Sequence, residues 1–260
     1  MLLPGKVAIV SGVGPGLGKE LALAFARQGA DLALGARTEP FIEEVASEVE
    51  ELGRRAVYVP TDITDAAQCD ALAKAAVDEL GRIDVLVHNA ARPDRRQPFE
   101  EADLDSWRRV VDTNLFGSLQ LTHSVIPTMK EQGRGSIVFV GSMIIRKVLE
   151  HQGAYALSKA ALLTAAQTLA KELGPHGIRV NTIVPGWMWG ESVERYLAKI
   201  EATTGKSVEQ WRDEIVSRIP LGFIPSSADC AGAAVFFASE LSSAITGQSL
   251  DVNGGEVFVS

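Results

Sequence analysis

A chain of 260 residues, 46% of them hydrophobic, can bury a full core, and a net charge of −8 argues against a nucleic-acid surface. Two cysteines far apart, Cys69 and Cys230, suit reduced thiols rather than a disulfide scaffold. No apolar run reaches membrane-spanning length, and the start Met1-Leu2-Leu3-Pro4-Gly5-Lys6 lacks a signal-peptide core, so a cytoplasmic protein is expected.

In chain order, β-rich runs alternate with longer helical patterns. A strand over Lys6–Ser11 leads through a glycine-rich loop to a helix over Leu17–Gln28, then a strand over Asp31–Ala36 and a helix over Phe41–Leu52. A strand over Ala56–Pro60, a helix over Ala66–Leu80 and a strand over Asp84–Val87 follow. The pattern predicts one long helix over Asp103–Lys130, a strand over Ser136–Val140, a helix over Ala154–Leu173 and a strand over Arg179–Val184. A helix over Ser227–Ser239 and a strand over Ser249–Val252 close the chain. Nearly continuous apolar strands separated by helices predict an α/β fold: a doubly wound Rossmann domain over residues 1–260, with a seven-stranded parallel sheet and helices on both faces. The rhythm breaks at about 187–218, where Trp187-Met188-Trp189-Gly190 opens a charged, helical segment. Loops leaving the carboxyl ends of strands line the ligand crevice in such sheets, so this segment reads as a substrate lid, against the plainer reading of a surface helical hairpin.

The loop Ser11-Gly12-Val13-Gly14-Pro15-Gly16-Leu17-Gly18 fits Gly12-x-x-x-Gly16-x-Gly18 and not G-x-G-x-x-G. Glycines there let the backbone approach a ligand, and the helix starting at Leu17 turns its free N–H groups toward a pyrophosphate. A carboxylate at the end of the second strand would bind a ribose 2′-hydroxyl, but Ala36 stands there and Arg37 follows. A guanidinium suits a 2′-phosphate, so NADP(H) is expected over NAD(H), with Glu39 nearby as the opposing signal.

Tyr155-Ala156-Leu157-Ser158-Lys159 places a phenol and an ammonium one helical turn apart. Tyrosine titrates near pH ~10, and lowering it by three units requires about 4 kcal/mol of preferential phenolate stabilisation. One screened cation cannot supply that, so a second positive charge or a dry pocket is required. Ser142 and Asn114 gain meaning only jointly with this pair. His151, four residues before Tyr155, is a candidate substrate contact against the reading of a solvated loop histidine. Gly141-Ser142-Met143 lacks the elbow of a hydrolase nucleophile, and His88, His123 and His176 show no metal spacing.

Together these motifs resemble the short-chain dehydrogenase/reductase family from Lys6 to about Phe258. Gly12, Gly16 and Gly18 are similar to its cofactor loop, Asp62 (followed by Ile63) to its adenine-contacting acid, and His88-Asn89-Ala90-Ala91 to its Asn-Asn-Ala-Gly segment. His88 replaces the first Asn and Ala91 the Gly. Asn114, Ser142, Tyr155 and Lys159 match its catalytic tetrad, and Pro185-Gly186 its turn beside the nicotinamide. Gly190 stands near the place of a carboxamide-binding Thr, with Ser192 a neighbour able to substitute. The resemblance implies that Tyr155 gives and takes the proton of the reacting oxygen and that Ser142 hydrogen-bonds it. Lys159 holds the nicotinamide ribose and, with the nicotinamide charge, lowers the Tyr155 pKa, while Asn114 positions a relay water. It also implies a homo-oligomer, a tetramer or dimer. Trp187, Trp189 and Ile144 point to an apolar small-molecule substrate, cyclic or steroid-like. A 3-oxoacyl-thioester reductase is the alternative, kept open by Arg92, Arg95, Arg96 and Arg146-Lys147. A dinucleotide-binding regulatory protein without catalysis is the alternative of another class.

Overall fold

Strand residues with apolar side chains on both faces must be covered from both sides, and they are. The computed structural model describes residues 1–258, without the side chains at 191, 192, 200 and 202–204. Its strands are β1 (Val7–Ser11), β2 (Asp31–Ala36), β3 (Ala56–Pro60), β4 (Val85–His88), β5 (Gly135–Val140), β6 (Ile178–Pro185) and β7 (Ser249–Val252). They form one sheet in the order β3-β2-β1-β4-β5-β6-β7, all neighbours parallel.

Ala8, Val10, Leu32 and Leu34 pack on one face against α1 (Leu17–Arg27) and α2 (Glu39–Glu51), with α9 (Ser227–Ala238) completing that layer. Ile9, Leu86, Ile137 and Phe139 pack on the other against α3 (Ala66–Leu80), α5 (Ser118–Gln132) and α6 (Gly153–Leu173). A fully buried Leu or Ile contributes about 2 kcal/mol, so a charged residue at Ile9 or Leu34 would open the corresponding layer. Cys69 and Cys230 are free and buried on opposite faces, their thiols pushed up by burial to about 11 and about 12. Neither has the low pKa of a reactive nucleophile.

The helix expected over Asp103–Lys130 is interrupted. It consists of α4 (Leu104–Val111), a π-helical turn at Asp112–Gly117, and α5. A π turn widens the helix by one residue, a feature concentrated at functional sites, and here it carries Asn114, which is fully buried. Close packing continues just beyond, where a Cβ on Gly117 would lie 2.7 Å from Ile63. Between β6 and α9 run α7 (Glu191–Thr204) and α8 (Val208–Val216), the latter opened by a reciprocal Ser207–Gln210 cap. The strand order reverses between β1 and β4, so the loops after these two strands diverge and leave a crevice at their carboxyl ends.

Candidate active site

The crevice is built on glycine. Gly12 has φ +83, and a Cβ there would lie 2.2 Å from the Ala90 nitrogen; a Cβ on Gly18 would lie 2.3 Å from the Gly12 oxygen. Asn89 locks the crossing by donating its side-chain N–H to the Gly12 carbonyl at 2.8 Å. Gly16 has φ +89 and immediately precedes α1, whose first residue is Leu17. A cavity of about 810 Å³ opens above this loop, lined by Gly12, Arg37, Asp62, Ile63, Asn89 and Arg92 among others. Thr64 donates through its hydroxyl (2.7 Å) and backbone N–H (3.0 Å) to Asp62, holding that carboxyl below its usual range, with the Arg37 guanidinium adding to the effect. Arg37 is exposed and has no hydrogen bond or ion pair among the described residues. Pro185 ends β6, and Gly186 donates its N–H to the Val252 carbonyl, so close to Asn253 that a Cβ would meet it at 2.7 Å. The glycine cradle, the cavity and an unengaged guanidinium fit a dinucleotide phosphate chain.

Ser142, Tyr155, Lys159 and Asn114 come together beside this crevice, joined to its lining residues Arg92 and Asp94 by hydrogen bonds of Asn114 and of the Tyr155 backbone. Lys159 is buried and donates to the Val140 carbonyl at 2.7 Å, and loss of hydration lowers its pKa to about 8. Burial raises the Tyr155 pKa, and a hydrogen bond with Ser142 draws it partly back. The Lys159 ammonium sits 5.7 Å from the Tyr155 ring centroid. The protein's own groups therefore leave the phenol above its ordinary value, short of the lowering that the sequence argument asks for. Ser142 also accepts the Ile144 N–H at 3.3 Å, which fixes the turn after β5. Asn114 donates to Ser158 Oγ at 3.0 Å, and Ser158 donates to the Tyr155 carbonyl at 2.8 Å, tying the π turn to the helix of Tyr155 and Lys159.

Sequence reasoning missed Asp94 here. Asp94 accepts the N–H groups of Ala154 (2.9 Å) and Tyr155 (3.3 Å), while Asn114 binds the backbone of Arg92 through both N–H (2.6 Å) and C=O (3.1 Å). The only sequence signal was negative: α6 begins after Gln152, which provides no side-chain cap, so its N–H groups needed an acceptor from elsewhere. His88, read in the sequence as a departure from the family segment and as lacking metal spacing, is buried, stacks on Phe139 with centroids 4.7 Å apart, and lies 2.8 Å from Thr122 Oγ1. Thr122 already donates to Ser118 O, so His88 Nε2 carries the proton and Nδ1 faces no donor. Burial, with Lys159 adding to it, lowers the His88 pKa to about 3.

A second cavity of about 410 Å³ lies between the loop after Ser142, Trp187 and helices α7 and α8. Trp187 lines it; Trp189 does not, and instead donates to Glu194 at 2.6 Å with Arg212 over its ring. Ile144 is buried beside the catalytic turn, and His151 is exposed with φ +62 between two lining residues, Glu150 and Gln152. A Cβ at Gly190 would meet nothing within 4 Å, so space for a side chain exists there; the Ser192 side chain lies outside the described residues. Among the described residues no cluster of three metal-ligating side chains occurs, and no helix is long and apolar enough to cross a membrane.

A family model described as enoyl-(acyl carrier protein) reductase matches residues 12–256. The chain is 34% identical over 258 residues to the 3-oxoacyl-(acyl-carrier-protein) reductase of Thermotoga maritima, covering 99% of this chain and 100% of that protein. It is 33% identical over 255 residues to the 7alpha-hydroxysteroid dehydrogenase of Escherichia coli K12, covering 98% and 95%. Among solved structures, NAD+-bound xylitol dehydrogenase superposes with a TM-score of 0.91 at 28% identity, covering 98% of this chain and 100% of that one.

Proposed function

The chain is an oxidoreductase of the short-chain dehydrogenase/reductase family, and on that premise we propose that it interconverts a ketone and a secondary alcohol on an apolar, cyclic or steroid-like small molecule, with NADP(H). The observation that carries this reading is the linked set Ser142, Tyr155, Lys159 and Asn114, joined to the glycine-lined cavity through its lining residues Arg92 and Asp94. Bound there, a nicotinamide dinucleotide would give a hydride in its reduced form, and in its oxidised form would take one up and bring a positive charge. Gly12, Gly16 and Gly18 admit its phosphates against Leu17 at the start of α1; Asp62, Ile63 and Asn89 line the adenosine side, and Pro185 and Gly186 flank the nicotinamide. Arg37 takes the 2′-phosphate.

Tyr155 gives its proton to the carbonyl oxygen in reduction and removes the hydroxyl proton in oxidation, and Ser142 donates to that oxygen as charge develops. Lys159, charged at neutral pH and pinned by Val140, holds the ribose hydroxyls, and Asn114 positions a water that returns protons to it. Ile144 and Trp187 shape the apolar substrate side; Trp189 and His151 act from the rim. Residues 187–218 act as the lid of a single catalytic domain, working as a homotetramer or dimer in the cytoplasm. A 3-oxoacyl thioester is the second reading, favoured by similarity to the Thermotoga maritima reductase. The test is turnover of cyclic ketones with NADPH by the wild type and Tyr155→Phe. A loss of at least two orders of magnitude in kcat with unchanged cofactor binding is expected, and a folded Tyr155→Phe retaining most turnover would end the mechanism.

A further inference from the structure

The 410 Å³ cavity is mostly apolar, yet it holds two donors without acceptors among the described residues. Arg96 lines it, and its guanidinium lies 3.9 Å from the Tyr196 ring centroid on α7, its one interaction among the described residues. Trp211 on α8 lines it too, and its indole N–H is buried with no hydrogen-bond partner. An indole nitrogen only donates, and buried donors are almost always paired, so this one is built for an acceptor that the described residues do not supply. Backbone strain converges on the same place. Arg96 (φ +56) and His151 (φ +62) are the two non-glycine residues with positive φ among those described; Arg96 lines the cavity and His151 separates the lining residues Glu150 and Gln152. Non-glycine residues held in the left-handed region are found at ligand clamps, where surrounding contacts maintain the strain.

The other charges do not satisfy these donors. Arg218 also lines the cavity, but Glu214 and Glu256 each lie 3.5 Å from its guanidinium. Glu150 is the carboxylate of the lining, exposed and within ion-pair distance of no cation among the described residues. Arg96, in contrast, is exposed and stacks on Tyr196, which keeps its guanidinium beside the cavity with its N–H donors open to a carboxylate or phosphate.

We propose that this cavity receives an anionic group, carboxylate or phosphate, on the substrate's apolar body, with Arg96 and the Trp211 N–H as its donors. This rests on the reading of the site as a ketone and alcohol oxidoreductase and names its substrate class. The test compares 4-oxocyclohexanecarboxylate, its methyl ester and a 3-oxoacyl coenzyme A thioester, the last bringing phosphate instead of carboxylate. The wild type should show at least tenfold higher kcat/KM for the keto acid or for the thioester than for the ester, and whichever is favoured identifies the anion. Arg96→Ala should erase that preference through KM, Arg96→Lys should restore part of it, and Trp211→Phe, which keeps a ring but removes the N–H, should weaken it. Arg108→Ala, at an exposed position of α4, serves as the control. The preference should shrink as salt rises. Binding is read separately by quenching of tryptophan fluorescence. Anion-selective quenching without turnover would overturn the ketone reading and leave the cavity assignment standing. Equal KM and equal quenching for acid, thioester and ester, or equal losses on all three in Arg96→Ala, would overturn the assignment itself.

Discussion

The Asp94 carboxylate accepts the backbone N–H of Tyr155 at 3.3 Å across 61 residues of sequence. The same oxygen takes Ala154 N–H at 2.9 Å, so the loop lining the large cavity caps the helix that carries the phenol. Removing such a cap costs about 1 kcal/mol, and here the loss also frees the loop that Asn114 grips at Arg92. Asp94→Ala should lower thermal stability by about that amount and reduce kcat more than it raises KM. Asp94→Asn keeps a carbonyl acceptor and should recover most of both. An Asp94→Ala protein matching the wild type in melting temperature and kcat would show that the cap is idle.

Lys159 makes stability depend on pH in a defined direction. Its pKa falls from 10.5 unfolded to about 8 folded, because burial disfavours the ammonium. Between those values the unfolded chain holds the proton more often, so this group makes stability rise with pH, by up to about 3 kcal/mol. The buried thiols of Cys69 and Cys230 and the raised phenol of Tyr155 act oppositely at the alkaline end. Comparison with Lys159→Met cancels those shared contributions. Denaturant titrations should show the wild type gaining on Lys159→Met from pH 8 to 10, and parallel curves would disprove the buried-ammonium account.

Most of the scaffold was legible because apolar strands and glycine-terminated helices are local patterns. Gly12, Gly16 and Gly18 were readable for the same reason, since close approach and positive φ leave glycine as the remaining choice. The break around Asn114 was not readable. Residues 112–117 carry no proline, and the cause is a long-range set of bonds from Asn114 to Arg92 and Ser158. Asp94 was hidden likewise, since a cap delivered from 60 residues away leaves no motif beside the helix it serves. Trp187 and Trp189 looked equivalent in sequence, and only the packing of α7 separates the lining residue from the one engaged with Glu194.

His88 produces the acid counterpart of the Lys159 effect. Its pKa falls from 6.5 unfolded to about 3 folded, so its stabilising contribution is present above pH 6.5 and is lost as pH drops toward 3. The slope approaches about 1.4 kcal/mol per pH unit. His88→Gln retains an N–H donor for Thr122 and does not titrate. Its stability should be flatter than the wild type's between pH 6.5 and about 5, above the range where Asp31 and Asp62 begin to lose their contribution. Identical acid limbs in urea titrations would argue that His88 is not held neutral.

Cofactor choice rests on Arg37, which has no hydrogen bond or ion pair among the described residues and faces the large cavity. A charge-assisted pair with a 2′-phosphate contributes more than a neutral hydrogen bond. Arg37→Ala should therefore raise KM for NADPH by roughly tenfold or more, and change KM for NADH little. A wild-type preference for NADH that survives Arg37→Ala would overturn the assignment.

The glycine loop offers the sharpest structural contrast, because two of its glycines sit two residues apart in opposite surroundings. A Cβ at Gly12 would fall 2.2 Å from the Ala90 nitrogen with φ at +83, whereas at Gly14 a Cβ would meet nothing within 4 Å, and its φ lies outside the left-handed region. Gly12→Ala must force β1 and β4 loops apart, break the Asn89 bond to the Gly12 carbonyl and adopt a strained backbone, changes that together cost several kcal/mol, at about 1–3 kcal/mol each. Gly14→Ala adds a methyl group to open space and slightly restricts the unfolded chain, so it should be neutral or stabilising by about 0.5 kcal/mol. Parallel melting curves, with dinucleotide binding followed by fluorescence, would decide it. Gly12→Ala should lose both stability and binding. A tolerated Gly12→Ala, or a Gly14→Ala that destabilises as strongly, would mean that the crevice is not held open by backbone crossing at Gly12.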